Sequence, residues 1–345
     1  MKFEEGQSPY IIAEIGANHN GDLDLARKMI DAAKACGAHA AKFQSWDKSI
    51  FSKKVYEENY FLGDDYRGRD DHTLESIVEE FALNKVQLAE LADYCRNIGI
   101  DFASTPFEPE QVEALVELGA PFVKVASMDV NNDRILKSAA RTGLPVVMSV
   151  GMASLGEIDR AVTLLEENNV VQLVLLHCTA LYPTPPEEVN LLAMDTLRQF
   201  GHLVGFSDHS LGPAISLGAV ALGAVVIEKH FTLDKEMFGW DHKMSMSPDE
   251  MRTLCEGAVQ IHTARGSSRR SVGEREMNQR KAFRRSVVAA HDLRAGDTLD
   301  EGSVVFRRPG TGLDPSLAPQ LFGMKVVRDI PYDTLTEIND LMSGD

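Results

Sequence analysis

Polar and charged residues interrupt short apolar runs at seven places in this 345-residue chain: Glu14 in YIIAEIG, Lys42 and Gln44 in HAAKFQSW, Thr105 in DFASTPF, Lys124 in FVKVASM, Ser149 in PVVMSVG, Ser207 and His209 in LVGFSDH, and Glu228 and His230 in VVIEKHF. A lone charge buried on a strand is costly, so a purely structural role does not explain so many of them. Two readings stand side by side. In one, Glu14 or Glu228 forms salt bridges with Lys42 or Lys124 inside the protein, and Glu228 is the member expected to serve only as a structural partner. In the other, the lysines hold an anion and the histidines a cation. Two imidazoles on adjacent strands about 5 Å apart can share one divalent cation, leaving positions open for water and substrate. That arrangement suits a Lewis acid rather than a closed structural zinc site. A single strand histidine would otherwise be an ordinary core residue. The stretch GFSDHS at 205–210 invites comparison with a hydrolytic triad. Consecutive strand residues point to opposite sides, however, so Ser207 and His209 share a face while Asp208 looks away as a structural or supporting group. No G-x-S-x-G elbow is present.

The elements that must position these residues follow from the alternation along the chain. Eight apolar runs, at 10–16, 39–46, 101–107, 122–128, 145–151, 171–179, 203–209 and 225–231, alternate with patterns carrying apolar residues at helical spacing, most of them stopped by glycine. Eight βα units predict an α/β fold, a parallel (β/α)8 TIM barrel over residues 1–265, with chemistry at the C-terminal ends of its strands. A doubly wound open sheet is the alternative. Its glycine-rich dinucleotide turn is missing after the first strand, where the chain reads GANHNG. The connection from Asp47 to about Leu83 is long enough to be a functional lid or a mobile segment. Residues 266–284, charged and containing glycine and serine, predict a linker. Residues 285–345 alternate in a strand-like way around the turns RAGD and DEGS, predicting a small β-rich domain.

Composition limits the function classes. Apolar residues make up 44% and charged residues 25%, as in a soluble globular protein, and the net charge of −17 argues against nucleic acid or an anionic membrane as partner. An acidic protein acting on an anion must gather a few cations locally, which gives the interior lysines their interest. No apolar run approaches the ~20 residues needed to span a bilayer, and MKFEEGQSPY lacks a signal pattern, so a cytoplasmic location is expected. Cys36, Cys95, Cys178 and Cys255 are scattered without a CxxC and are expected to be reduced thiols.

The runs IIAEIGANHNGDLDLA, AAKFQSW, FASTPF, FVKVASMDVNN, LLHCTALYPTPPEEVNL, VGFSDHS, ALGAVVIEKHFTLDK and GWDHKMS, followed by SVVAAHDLRAGDTL and VFRRPGTG, resemble the nonulosonic (sialic) acid synthases over nearly the whole chain. The last two resemble their small C-terminal antifreeze-like (SAF) domain. The resemblance implies an enzyme that condenses phosphoenolpyruvate with an N-acyl hexosamine, either N-acetylmannosamine or a 2,4-diacetamido-trideoxyhexose, to a nine-carbon 2-keto sugar acid, with C–O cleavage of phosphoenolpyruvate. It implies a divalent metal, Mn2+ with Mg2+ or Co2+ as alternatives, on His209 and His230. It implies a phosphoenolpyruvate pocket lined by Lys42, Thr105, Lys124, Ser127, Ser149, Tyr182 and Ser207. Glu14, Gln44, Asp129 and Asp241 match positions that contact or position the amino sugar. Arg308 matches an arginine that reaches the other subunit's barrel mouth in a domain-swapped homodimer. Ala180, in CTALYP, departs from the polar residue that relatives often place near the phosphate, which puts the tightness of phosphate binding in question. Two other classes are kept open: a Schiff-base aldolase using Lys42 or Lys124 as nucleophile, and a non-catalytic carbohydrate-binding protein.

Overall fold

The computed structural model describes residues 2–47, 50 and 74–343. All eight expected strands form: β1 (Tyr10–Gly16), β2 (Ala40–Gln44), β3 (Asp101–Thr105), β4 (Val123–Val125), β5 (Val146–Ser149), β6 (Leu173–Cys178), β7 (Leu203–Asp208) and β8 (Val226–His230). They make one parallel sheet in the order β3-β2-β1-β8-β7-β6-β5-β4. Pairing of β1 with β8 closes the chain's first strand onto the last strand of the sheet, and β3 and β4 face each other across the one junction without a ladder. The result is the predicted (β/α)8 barrel, nearly closed.

Helices α1 (Leu23–Cys36), α2 (Leu74–Phe81), α3 (Lys85–Ile98), α4 (Pro109–Glu117), α5 (Asp133–Arg141), α6 (Leu155–Glu167), α7 (Ala193–Arg198), α8 (Ala214–Ala221) and α9 (Pro248–Arg265) accompany the strands. Their starts are written in the sequence. Asp22 caps α1, and Ser154 with Glu157 and Ser247 with Glu250 form capping boxes on α6 and α9. The pattern EEVNLLAMDTLRQFG gives a much shorter helix than its periodicity suggests. Asn190 adopts a positive φ of 52°, which breaks the run before α7 begins. Most of the long connection after Asp47, residues 48–49 and 51–73, lies outside the described residues; its far end is α2.

The strand period of two sorts the barrel residues into layers. Ile11, Ala13 and Ile15 join the core between sheet and helices, while Ile12 joins a second, inner cluster with Phe3, Ala40, Ala103, Phe122, Val147, Val174, Leu176 and Val226. Two residues further along each strand, on the same inward side, the side chain turns polar: Ile12 to Glu14, Ala40 to Lys42, Ala103 to Thr105, Phe122 to Lys124, Val147 to Ser149, Leu176 to Cys178, Gly205 to Ser207 and Val226 to Glu228. An apolar tier therefore fills the lower barrel and a polar tier sits above it.

The chain divides into two compact units, Met1–Gly266 and Ser267–Asp345. In the second, β9 (Ser286–Ala289) pairs antiparallel with β10 (Val304–Arg307), and β11 (Lys325–Val326) with β12 (Leu341–Met342). Val287, Ala289, Leu293, Leu299, Leu321, Val326 and Ile330 form its own small core. Within the expected linker the structure has a helix, α10 (Glu274–Phe283), with no buried residue; α11 (Ala318–Leu321) follows later. The exposed polar sequence of α10 lacks the apolar stripe that marks a helix, and its acidic first turn and basic last turn supply the end charges that favour one. All four cysteines are free and buried. No helix among the described residues is long and apolar enough to cross a membrane.

Gly205 is where β7 passes closest to its neighbours. A Cβ there would lie 2.5 Å from both Leu176 Cδ2 and the Val226 carbonyl oxygen. Gly205→Ala is therefore expected to destabilise the protein by about 1–3 kcal/mol through overpacking, measured by urea or thermal denaturation. Unchanged stability would mean that Leu176 and the Val226 carbonyl can make room for a methyl group at this point.

Candidate active site

The polar tier opens at the C-terminal ends of the strands into a cavity of about 280 Å³. Its floor is a chain of buried charges. Lys42 Nζ lies 2.5 Å from Glu14 Oε2 and 3.7 Å from Glu228 Oε2, and Lys124 Nζ lies 3.6 Å from Glu228 Oε1. Register explains the closeness, since Glu14 stands beside Lys42 on one side and His230 on the other, and Ser207 stands beside Glu228. Hydroxyls complete the network. Lys42 donates to Thr105 Oγ1 at 2.8 Å, Lys124 to Ser149 Oγ at 2.7 Å, and Ser207 Oγ to Glu228 Oε1 at 3.0 Å. Gln44 Nε2 donates to Glu14 Oε1 at 2.9 Å, and the Gly151 amide to Ser127 Oγ at 2.9 Å.

Burial and pairing pull these groups in opposite directions. Burial pushes the Glu14 carboxyl up to about 7, with Lys42 pulling the other way. Burial also pulls on Lys42, but the carboxylates of Glu14 and Glu228 outweigh it and hold the ammonium above its usual range. Lys124 has weaker compensation and is lowered, chiefly by burial. Glu228 remains below the usual carboxylate range: burial is the largest single influence and raises it, and Lys124 and Lys42 together overcome that. The floor can thus hold two cations ready for an anion, with one carboxyl able to exchange a proton near neutrality.

The two imidazoles stand on the rim, ring centroids 5.4 Å apart, with the Tyr182 ring 4.2 Å from His209 and 6.2 Å from His230. His209 Nδ1–H donates to the Thr179 carbonyl at 3.0 Å, which leaves the lone pair on Nε2. His230 Nδ1 is buried without a hydrogen-bond partner and lies 3.5 Å from Asp241 Oδ2. Burial lowers both histidines, His230 well below the ordinary range, and pushes the Asp241 carboxyl up to about 6. Two neutral imidazoles beside a carboxylate form a nitrogen-and-oxygen donor set that fits a divalent transition metal. Among the described residues no group of three or more His, Cys, Asp and Glu stands close enough together to form a metal cage, so any cation here would rest on the two imidazoles and on groups from outside the chain.

Glu14, Lys42, Gln44, Thr105, Lys124, Ser127, Ser149, Tyr182, Ser207, His209 and His230 all line this one cavity, and so does Ala180. Asp129 and Asp241 do not form its wall. Asp129 is buried in the turn after β4, where it accepts from Asn132 Nδ2 at 2.9 Å, and Asp241 stands behind His230. Arg308 belongs to the second unit, where its guanidinium lies 5.0 Å from the Phe283 ring centroid. Glu228, expected to serve only as a structural partner, bridges both lysines and also lines the cavity. Asp208 faces away from the cavity, as parity requires. Cys178, a free thiol as expected, also lines the cavity, with Sγ 3.8 Å from His209 Nδ1. Its place two residues after Leu176 carried that information.

Known proteins resemble this chain in sequence and in fold. Residues 29–270 match the NeuB family and residues 284–341 the SAF domain. The chain is 40% identical over 329 residues to the N,N'-diacetyllegionaminic acid synthase of Campylobacter jejuni, covering 94% of this chain and 98% of that one. It is 37% identical over 338 residues to the N-acetylneuraminate-9-phosphate synthase of Mus musculus, covering 95% and 91%. The crystal structure of N-acetylneuraminic acid synthetase from Leptospira borgpetersenii, in complex with citrate, superposes with a TM-score of 0.70 at 33% identity, covering 81% of this chain and 92% of that one.

The lowered histidines give a direct test. A histidine of ordinary pKa, about 6.5, is mostly protonated at pH 5.5. In metal-free protein the ring carbon shifts of His209 and His230 are expected to titrate with midpoints below the ordinary histidine value, His230 lower than His209. Midpoints at or above 6.5 would show that burial does not hold these rings neutral.

Proposed function

The chain belongs to the NeuB family and carries a SAF domain, and from that premise we propose that this synthase condenses phosphoenolpyruvate with an N-acyl hexosamine to a nonulosonic acid and phosphate. The observation that carries the reading is the cavity floor, where two buried lysines stand beneath two neutral imidazoles in a protein of net charge −17. Carbon 3 of phosphoenolpyruvate attacks the aldehyde carbon of the open-chain sugar, water adds at carbon 2, and the C–O bond to phosphate breaks to leave a 2-keto acid. Lys42 and Lys124 hold the phosphate and carboxylate, helped by Thr105, Ser127, Ser149, Tyr182 and Ser207. Glu14, poised near neutrality and oriented by Gln44, exchanges a proton with the reacting oxygens or binds a sugar hydroxyl. His209 and His230 would hold a divalent cation, Mn2+ in this proposal, which when bound polarises the aldehyde oxygen. Asp241, beside His230, positions the sugar, while Asp129 acts on it only through the turn after β4 that carries Ser127.

The working form in this reading is a homodimer whose SAF domain brings Arg308 to the partner's barrel mouth. The loops at the strands' C-terminal ends support it, because they expose Met128, Met152, Tyr182, Leu192 and Leu211, with Leu155 at the start of α6, apolar side chains unusual on a surface left to water. The sugar in this proposal is the 2,4-diacetamido-trideoxyhexose, supported by the 40% identity to a legionaminic acid synthase. The reaction is placed in the cytoplasm.

Phosphate release from phosphoenolpyruvate, assayed with each candidate sugar with and without Mn2+, tests the reading. The diacetamido sugar should give the highest kcat/KM, a chelator should abolish turnover, and Lys42→Met or Lys124→Met should lower kcat/KM about 100-fold or more. Preference for N-acetylmannosamine would overturn the choice of sugar. Borohydride trapping of a lysine with activity intact under chelation would replace the condensation with a Schiff-base aldolase.

A further inference from the structure

Behind the two imidazoles lies a second pair of charges that the proposed reaction does not use. Lys229 is wholly enclosed at 0% exposure and Asp208 nearly so at 1%, with Lys229 Nζ 3.0 Å from Asp208 Oδ2. The two are register partners on β8 and β7, and each immediately precedes a cavity histidine, Asp208 before His209 and Lys229 before His230. Asp208 is fully engaged: Oδ1 accepts from the Ser210 amide at 2.7 Å, and Oδ2 from Ser216 Oγ at 2.5 Å. Lys229 Nζ also donates to the Ser210 carbonyl oxygen, so one ammonium ties the end of β8 to the turn that follows β7.

A buried ion pair is weak as a source of stability, because desolvation offsets the attraction and an apolar pair of similar size often does as well. What such a pair does supply is fixed geometry. Strand side chains alternate, so a bond that pins residues 208 and 229 on the outer side also pins the backbone that presents residues 209 and 230 on the inner side. We propose that Lys229 is a positioning residue whose ion pair with Asp208, clamped to the Ser210 turn, sets the separation and aim of the His209 and His230 imidazoles. The role toward the metal rests on the reading that these imidazoles hold the cation; the role in ring geometry does not.

Two measurements on the full chain separate these claims. Binding of Mn2+ alone, followed by electron paramagnetic resonance, compares wild type, His209→Ala and Lys229→Met. Imidazole 15N shifts of the metal-free protein report the rings independently of any cation. Lys229→Met is expected to retain its circular dichroism spectrum, to shift the His209 and His230 ring signals while leaving His19 and His242 in place, and to weaken Mn2+ binding by about 10- to 100-fold. A folded Lys229→Met protein with wild-type ring signals and wild-type Mn2+ affinity overturns the proposal. If wild type binds no Mn2+, or His209→Ala binds it equally well, the cation reading fails, and the ring signals alone decide the positioning role. Should Lys229→Met not fold, Ser216→Ala takes its place, removing one hydrogen bond from Asp208. It is then expected to shift the same ring signals, and unchanged signals overturn the proposal.

Discussion

The structure turns on the enclosure of two lysines between two glutamates inside a barrel that has little else to solvate them. Each charge would be intolerable alone, and together they are neutral and hydrogen-bonded through Gln44, Thr105, Ser149 and Ser207. That neutrality is provisional. An anion entering the cavity adds negative charge above Glu14 and Glu228, and the raised Glu14 is the group placed to absorb the change by taking a proton. The parallel register makes the arrangement possible, since it sets Glu14 between Lys42 and His230 with no contribution from loop conformation.

Much of this was legible because a strand has a period of two. Parity alone separated Ile12 and Glu14 from Ile11 and Ala13, and Ser207 and His209 from Asp208. It also placed the lysines on the inside before any partner was known. Residues whose positions depend on loops did not yield to it. Asp241 reaches His230 because the segment after β8 folds back, its Ser245 and Phe231 carbonyl held by the Asn18 side chain, and no spacing rule encodes that return. Asp129 is similar, since a short turn after β4 buries it away from the cavity.

Two features carry no periodic signal in the sequence. The helix Glu274–Phe283 has no apolar stripe, because it buries nothing, and so gave no periodic signal against its polar background. Lys229 was hidden in the reverse sense. It lies on the outward side of β8, where apolar residues meet the helices, and a charge there reads as a snorkelling or surface lysine until Asp208 is seen opposite it.

The division of the barrel into two tiers bears on how such a protein can diverge. Inside the barrel, packing is the task of Ile12, Phe122, Val147, Leu176 and their neighbours, and the cavity side chains stand one step higher. The two tiers share strands but not side chains, so a change in one need not repack the other. Loops and upper-tier side chains can therefore change while the lower tier keeps the scaffold folded, which gives a single architecture room for more than one specificity.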